Sequence, residues 1–191
     1  MSDRLSAAVQ ALLFLLVFAA SGALAGVVWE LLWDAPDGIV YQGTWYLEPA
    51  GPDHAFSGTG WYVVVALVAG ALTTLALGWL LPRHEITSLV AIMVGSMLAG
   101  WVMFKVGHAL GPQDPQALAA GKVDLTTLPS DLLIVGADDQ PRLFRFDSSA
   151  SAAFPVGAMI AAVYVFLAVS GRRSSHRSVG RDSSSRTPDA G

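Results

Sequence analysis

Glu30, Lys105 and His108 are the side chains of this sequence whose types and positions most invite a chemical role, because each is an ionisable group at or near the edge of a long apolar run. A carboxylate, an amine and an imidazole brought together are a minimal set for moving a proton or an ion. A lone ammonium in hydrocarbon is costly, so Lys105 must lie near a membrane surface, be paired, or be functional. Lys105 and His108 are three residues apart and share a helix face about a turn apart. Glu30 lies three residues before Trp33, near the end of the first apolar run, at a depth similar to that of Lys105. Three readings follow: interfacial solvated groups that set helix depth, a buried pair joining the first and third runs, or a relay. A relay needs a path inward, and the runs offer only Thr73, Thr74, Ser88, Ser96 and Tyr164.

The other chemistry-bearing residues read more simply. His54 beside Asp53 is expected to be a solvated loop histidine, and Asp138-Asp139 a turn-forming pair, since a calcium site needs more spaced oxygens. Met93, Met97 and Met103 read as adaptable packing. The chain has 0 cysteines, which excludes disulfides and thiolate chemistry. No metal site and no cofactor signature is present in the sequence.

The elements that must position these residues are set by composition. Of 191 residues 53% are hydrophobic and 14% charged, which places the chain in the membrane class. A hydrocarbon layer needs about 20 apolar helical residues, and four stretches reach that length, at about 5–33, 60–81, 86–110 and 148–171. The expected fold is an all-α membrane protein: four transmembrane helices in a bundle, with two extracytoplasmic loops at 34–59 and 111–147. The second and third spans are joined only by PRHE, which predicts an antiparallel pair of neighbours. Arg4, Arg83, Arg172, Arg173, Arg177, Arg181 and Arg186 fall on one side if both termini are cytoplasmic, against Lys122, Arg142 and Arg145 on the other. That distribution predicts a multi-pass plasma-membrane protein with both ends inside. A competing expectation is signal cleavage after Ala25 in SGALAG, against which apolar residues run on through VVWELLW.

Trp29, Trp33, Trp61 and Tyr62 are expected at the outer water–lipid boundary and Trp79 at the inner one, with Trp101 packed against another helix. Helices in lipid associate through small residues, and rows spaced by four occur as Gly22 and Gly26 and as Ala66, Gly70, Thr74 and Gly78. The weaker rows are Ala91, Gly95 and Ala99, then Gly157 and Ala161. In the first loop, residues 39–47 predict a hairpin turning at Gln42-Gly43. In the second, a short helix is expected from Pro115 to about Ala120, then two strands, LLIVG and RLFRF, around ADDQP. Pro155 marks the start of the last span. The Ser- and Arg-rich tail, 172–191, is expected to be disordered, near the anionic inner leaflet, with no nucleic-acid role.

Three segments, VVWELLWDAPDG, FSGTGWYVVVALVAG and VGHALGPQDPQALAAG, resemble an uncharacterised actinobacterial family of four-span membrane proteins, a domain of unknown function. That resemblance implies the same topology and no particular activity, and it directs attention to Glu30, His108 and the GPQDP turn. The leading expectation is a non-enzymatic accessory or assembly subunit of an envelope or respiratory complex, with the lipid bilayer and a membrane-protein partner as its surroundings. The alternative is a small transporter or channel using Glu30, Lys105 and His108. A third reading is an enzyme with an outward site built from His108, Asp114 and Glu30.

Overall fold

The computed structural model describes residues 2–80, 85–135 and 149–179. Four helices are long and apolar enough to cross a membrane: α1 (Ser2–Leu32), α2 (Pro52–Leu80), α3 (Glu85–Leu110) and α5 (Ala153–Val179). In hydrocarbon every backbone N–H and C=O must be satisfied within the chain, and a helix does this locally. A short helix, α4 (Pro115–Ala119), a 3-10 turn (Ser149–Ala152) and three short strands, β1 (Asp37–Tyr41), β2 (Thr44–Leu47) and β3 (Thr127–Pro129), complete the fold. The architecture is the expected four-helix membrane bundle with a small sheet at one end, called here the capped end.

Two helix boundaries differ from the sequence expectation. α2 begins at Pro52, well before residue 60, so His54 lies in its first turn and not in a loop. PDHAFSGTG lacks an apolar run and reads as a loop, yet Pro52 suits a helix start and the Asp53 carboxylate complements the free N–H groups there. α5 continues past residue 171 to Val179, into the segment expected to be disordered. A helix already under way extends at little cost per residue.

The tightest pairs are α1 with α3 and α2 with α5. Phe18 meets Gly95, Gly22 meets Ala99 and Gly26 meets Met103, a constant offset of 77 residues, so α1 and α3 run parallel and in register. Gly157 abuts the Leu67 carbonyl, Gly70 the Phe154 carbonyl and Gly78 the Val165 side chain, so α2 and α5 are parallel too. A side chain at Gly22, Gly26, Gly70 or Gly157 would run into the facing backbone. Here the absence of a Cβ is what permits the approach. α1 with α2 and α3 with α5 form looser flanks. The expected neighbours α2 and α3 are instead diagonal partners, because small residues select the facing helix more strongly than a short connection does. They meet at the bundle centre, where Tyr62 Oη donates to the Gly100 carbonyl at 3.0 Å. Across the other diagonal, Phe18 and Phe154 pack edge to face with centroids 6.4 Å apart.

The bundle is polar-poor outside as well as inside. Leu12, Leu16, Leu24, Val64, Val68, Leu72, Val90 and Ile160 are among its exposed residues, as a lipid-facing surface requires. The hydroxyls turned inward are mostly paired, Ser21 with Thr73 and Ser96 with the Met93 carbonyl, whereas the buried Thr74 Oγ1 has no partner among the described residues.

At the capped end the strands lie in the order β2-β1-β3, both neighbours antiparallel. The hairpin turns at Gln42-Gly43 as expected, with φ of 50° and 74°, the left-handed pair that a two-residue turn matched to strand twist demands. Ile39 faces Tyr46 and, on its other side, Thr127. α4 matches the expected short helix and is capped by Asp114, whose carboxylate accepts from the Gln116 N–H at 2.9 Å. The expected strand at LLIVG is not formed at residues 132–135; β3 joins the sheet in its place. Leu132 and Ile134 are buried on the helix ends, and an apolar alternation that suits a strand suits such a strap equally. RLFRF, Asp138, Asp139, Arg142 and Arg145 lie outside the described residues.

Candidate functional site

Trp29 organises the capped end of the bundle. It is 0% exposed, its indole donates to the Gly58 carbonyl at 2.8 Å, and it packs edge-on to Tyr62 with centroids 5.0 Å apart. Its other side meets Phe104 at 6.2 Å, and Phe104 stacks on His108 at 5.6 Å and 10°. The ring of Trp29 lies against Gly107, where a Cβ would collide with it. Trp29, Trp33 and Tyr62 are therefore core residues and not members of a boundary belt. An aromatic ring near a helix end has two ways to satisfy its polar tip, and here protein carbonyls and hydroxyls supply what interfacial water otherwise would. Trp61 and Trp79, 41% and 69% exposed, do face outward as expected.

His108 continues this aromatic series to the strap. Its Nδ1 lies 3.0 Å from the Leu132 carbonyl. A carbonyl only accepts, so the proton sits on Nδ1 and the imidazole acts as a strut between α3 and the strap. Farther along, the Val135 N–H donates to Thr59 Oγ1 at 2.9 Å, which fastens the strap to α2. Residues 132–135 thus cross the bundle end from one helix to the other, with Leu132 pressed against Gly111.

Glu30 and Lys105 are both half-buried. With α1 and α3 in register, Glu30 stands level with Gly107, close to the depth of Lys105. On helical geometry, however, Glu30 lies about 80° and Lys105 about 110° around its helix from the face the pair shares. Both are on the flank turned away from α2 and α5. Among the described residues no ion pair within 4.0 Å joins them, and His108 is engaged elsewhere. The structure brings Phe104, His108 and Leu132 together; it does not bring Glu30, Lys105 and His108 into hydrogen-bonding contact.

A cleft of about 200 Å³ opens between the sheet, the first turn of α2 and the strap, lined by Trp33, Trp45, His54, Ser57, Asp131 and Val135. It contains two serines, a histidine and an aspartate, a combination that nucleophilic catalysis also uses, and one of them, Ser130, donates its hydroxyl to the Asp131 backbone carbonyl at 3.2 Å. Nucleophile and base must be hydrogen-bonded to each other for that purpose. Ser57 Oγ instead donates to the His54 backbone carbonyl at 2.9 Å and accepts from Trp33 Nε1 at 3.2 Å. Of the expected outward enzyme residues, neither Glu30, His108 nor Asp114 lines this cleft. Among the described residues, no group of three or more His, Asp or Glu is arranged to hold a metal ion.

The sheet is locked by Trp45, one of the aromatics of the expected hairpin, and by Gln116, which sequence reasoning did not single out. The Trp45 indole crosses over Gly38, where a Cβ would collide with it, and donates to the Leu128 carbonyl at 3.0 Å. One side chain thereby ties all three strands. Gln116 from α4 presents its carboxamide to the outer edge of β2, donating to the Trp45 carbonyl at 2.9 Å and accepting from its N–H at 3.3 Å. The amide stands in for a neighbouring strand and covers an edge that would otherwise be open to pairing. A glycine and an indole at diagonal hairpin positions were the readable signal for the first; the second joins residues 71 apart in sequence.

No family model, no curated protein and no solved structure matches this chain.

Proposed function

We propose that this chain is a non-enzymatic, multi-pass subunit of the plasma membrane that works by association, holding a folded extracytoplasmic platform for an envelope or respiratory complex. The observation that carries this reading is the contrast between a bundle whose helices meet backbone to backbone through glycines and a sheet that is internally locked yet has one face uncovered. A pathway for solute would require polar groups converging between helices at mid-membrane. Glu30 and Lys105 lie on an outer flank, and the centre is filled by Phe18, Phe154 and Tyr62. The arginine-rich flanks of residues 4, 83 and 172–186 support cytoplasmic termini and hence an outward sheet.

Extraction in a mild detergent, with size and mass analysis of the tagged protein, tests the reading. The expected result is a stoichiometric heteromeric assembly. Recovery solely as a monomer or homo-oligomer from cells at native expression overturns it.

A further inference from the structure

The sheet has two unlike faces. Gly38, Val40, Trp45 and Leu47 belong to the face turned to the helix ends, with Val40 fully buried. The opposite face presents Ile39, Tyr41 and Tyr46 with Thr44 and Thr127, and its two tyrosines are 51% and 53% exposed. Tyr41 pairs with Thr44, two residues from Tyr46, so the two residues are diagonal neighbours about 8 Å apart across the hairpin. Antiparallel sheets with one buried face ordinarily turn polar residues outward. This one turns out two aromatic rings flanking an isoleucine, on strands whose register is pinned from behind by Trp45 and at the edge by Gln116.

The described segments at this end of the molecule are acidic, and Asp37 lies on the strand that carries Ile39 and Tyr41. Residues 34–53 and 112–131, which form the sheet and its surroundings, carry seven carboxylates and one amine, Lys122. An anionic headgroup layer is repelled by such a surface. A second copy meeting it face to face would bring like charges together, and α5 carries Arg172, Arg173 and Arg177 to the opposite end of the bundle. Aromatic rings set in an acidic field attract a guanidinium or ammonium, the rings through their quadrupole and the carboxylates through their charge.

We infer that the Tyr41/Tyr46 face of the sheet is the docking surface for an arginine- or lysine-bearing segment of a partner protein on the same side of the membrane. The inference rests on the associative reading above and adds the partner's chemistry. Paired strands make such docking cheap in ordering entropy, because the backbone that carries both rings is already ordered.

The test uses the full chain in nanodiscs of zwitterionic lipid and two labelled probes, an octapeptide alternating arginine with serine and its glutamate counterpart. Fluorescence anisotropy should show binding of the arginine peptide, weakened by salt, and none of the glutamate peptide. Tyr46→Ala and Tyr41→Ala should each weaken binding about 3-fold, as loss of an exposed cation–ring contact implies. Tyr46→Phe, which keeps the ring and the fold, should bind as the parent does. Equal binding by parent and both alanine variants means diffuse charge attraction and overturns the inference, as does binding of vesicles containing anionic lipid with the affinity of the arginine peptide. Failure of the peptide alongside a co-purified heteromeric partner overturns this inference and leaves the associative function standing.

Discussion

Glycine serves opposite ends in the two halves of this molecule. In the bundle, Gly22, Gly26, Gly70 and Gly157 let one helix backbone touch the next, and the contact is between main chains. In the sheet, Gly38 makes room for the indole of Trp45, and the contact is between a main chain and the largest side chain available. The difference follows from the solvent. Lipid gives no hydrophobic reward for bringing large side chains together, so the bundle gains from close backbone packing. Water does give that reward, so the sheet and the bundle's capped end are held by Trp45, Trp29 and Leu132.

The comparison breaks most sharply at the helix seams. Gly26→Val should destabilise the bundle by about 3 kcal/mol, since overpacking a tight seam displaces a backbone; thermal unfolding in detergent followed by helicity is the measurement, and the hairpin's own signals should survive until the bundle melts. Next in size, Trp29→Phe removes the bond to the Gly58 carbonyl and part of a fully buried indole, at a cost of about 2 kcal/mol. The same melt reports it, and a shift indistinguishable from zero would return Trp29 to the lipid boundary. His108→Phe keeps the stack on Phe104 but loses the Leu132 contact, costing about 1 kcal/mol and raising hydrogen exchange at residues 132–135 above that of the helices. Gln116→Ala should leave the bundle melt unchanged within about 0.5 kcal/mol while exposing the β2 edge, detectable as concentration-dependent self-association. Smallest of all, Glu30→Gln and Lys105→Met should be additive within about 0.3 kcal/mol in a double-mutant cycle, as unpaired flank residues are. A coupling energy above that would show that they pair in the membrane.

Residues that act through their neighbours in sequence were legible, and those that act at a distance were not. Four spans follow from unbroken apolar length, the hairpin from Gln42-Gly43, α4 from Asp114-Pro115, and the seam from Gly22 and Gly26. β3 is only three residues long and exists because β1, some 90 residues earlier, offers it an edge, so no local pattern announces it. Residues 132–134, Leu-Leu-Ile, are as apolar as a buried strand and lie as a strap because helix ends, not strands, were what stood opposite. Trp29 and Tyr62 looked like boundary residues since sequence shows their depth but not which side of the helix faces protein. Glu30, Lys105 and His108 were grouped by depth and by the three-residue spacing of the last two; sequence shows neither that Glu30 and Lys105 share a flank without an ion pair nor that the strap takes up His108.

The parallel register of α1 with α3 has a consequence for how the chain is made. α1 presents its glycine row long before the matching row on α3 has been synthesised, and the intervening α2 cannot substitute because its own small residues fit α5. During biogenesis both seams therefore stand open until their later partners arrive. A chain halted after residue 80 should be a target for chaperones or proteases of the membrane, while one halted after residue 110 should already possess a completed helix pair.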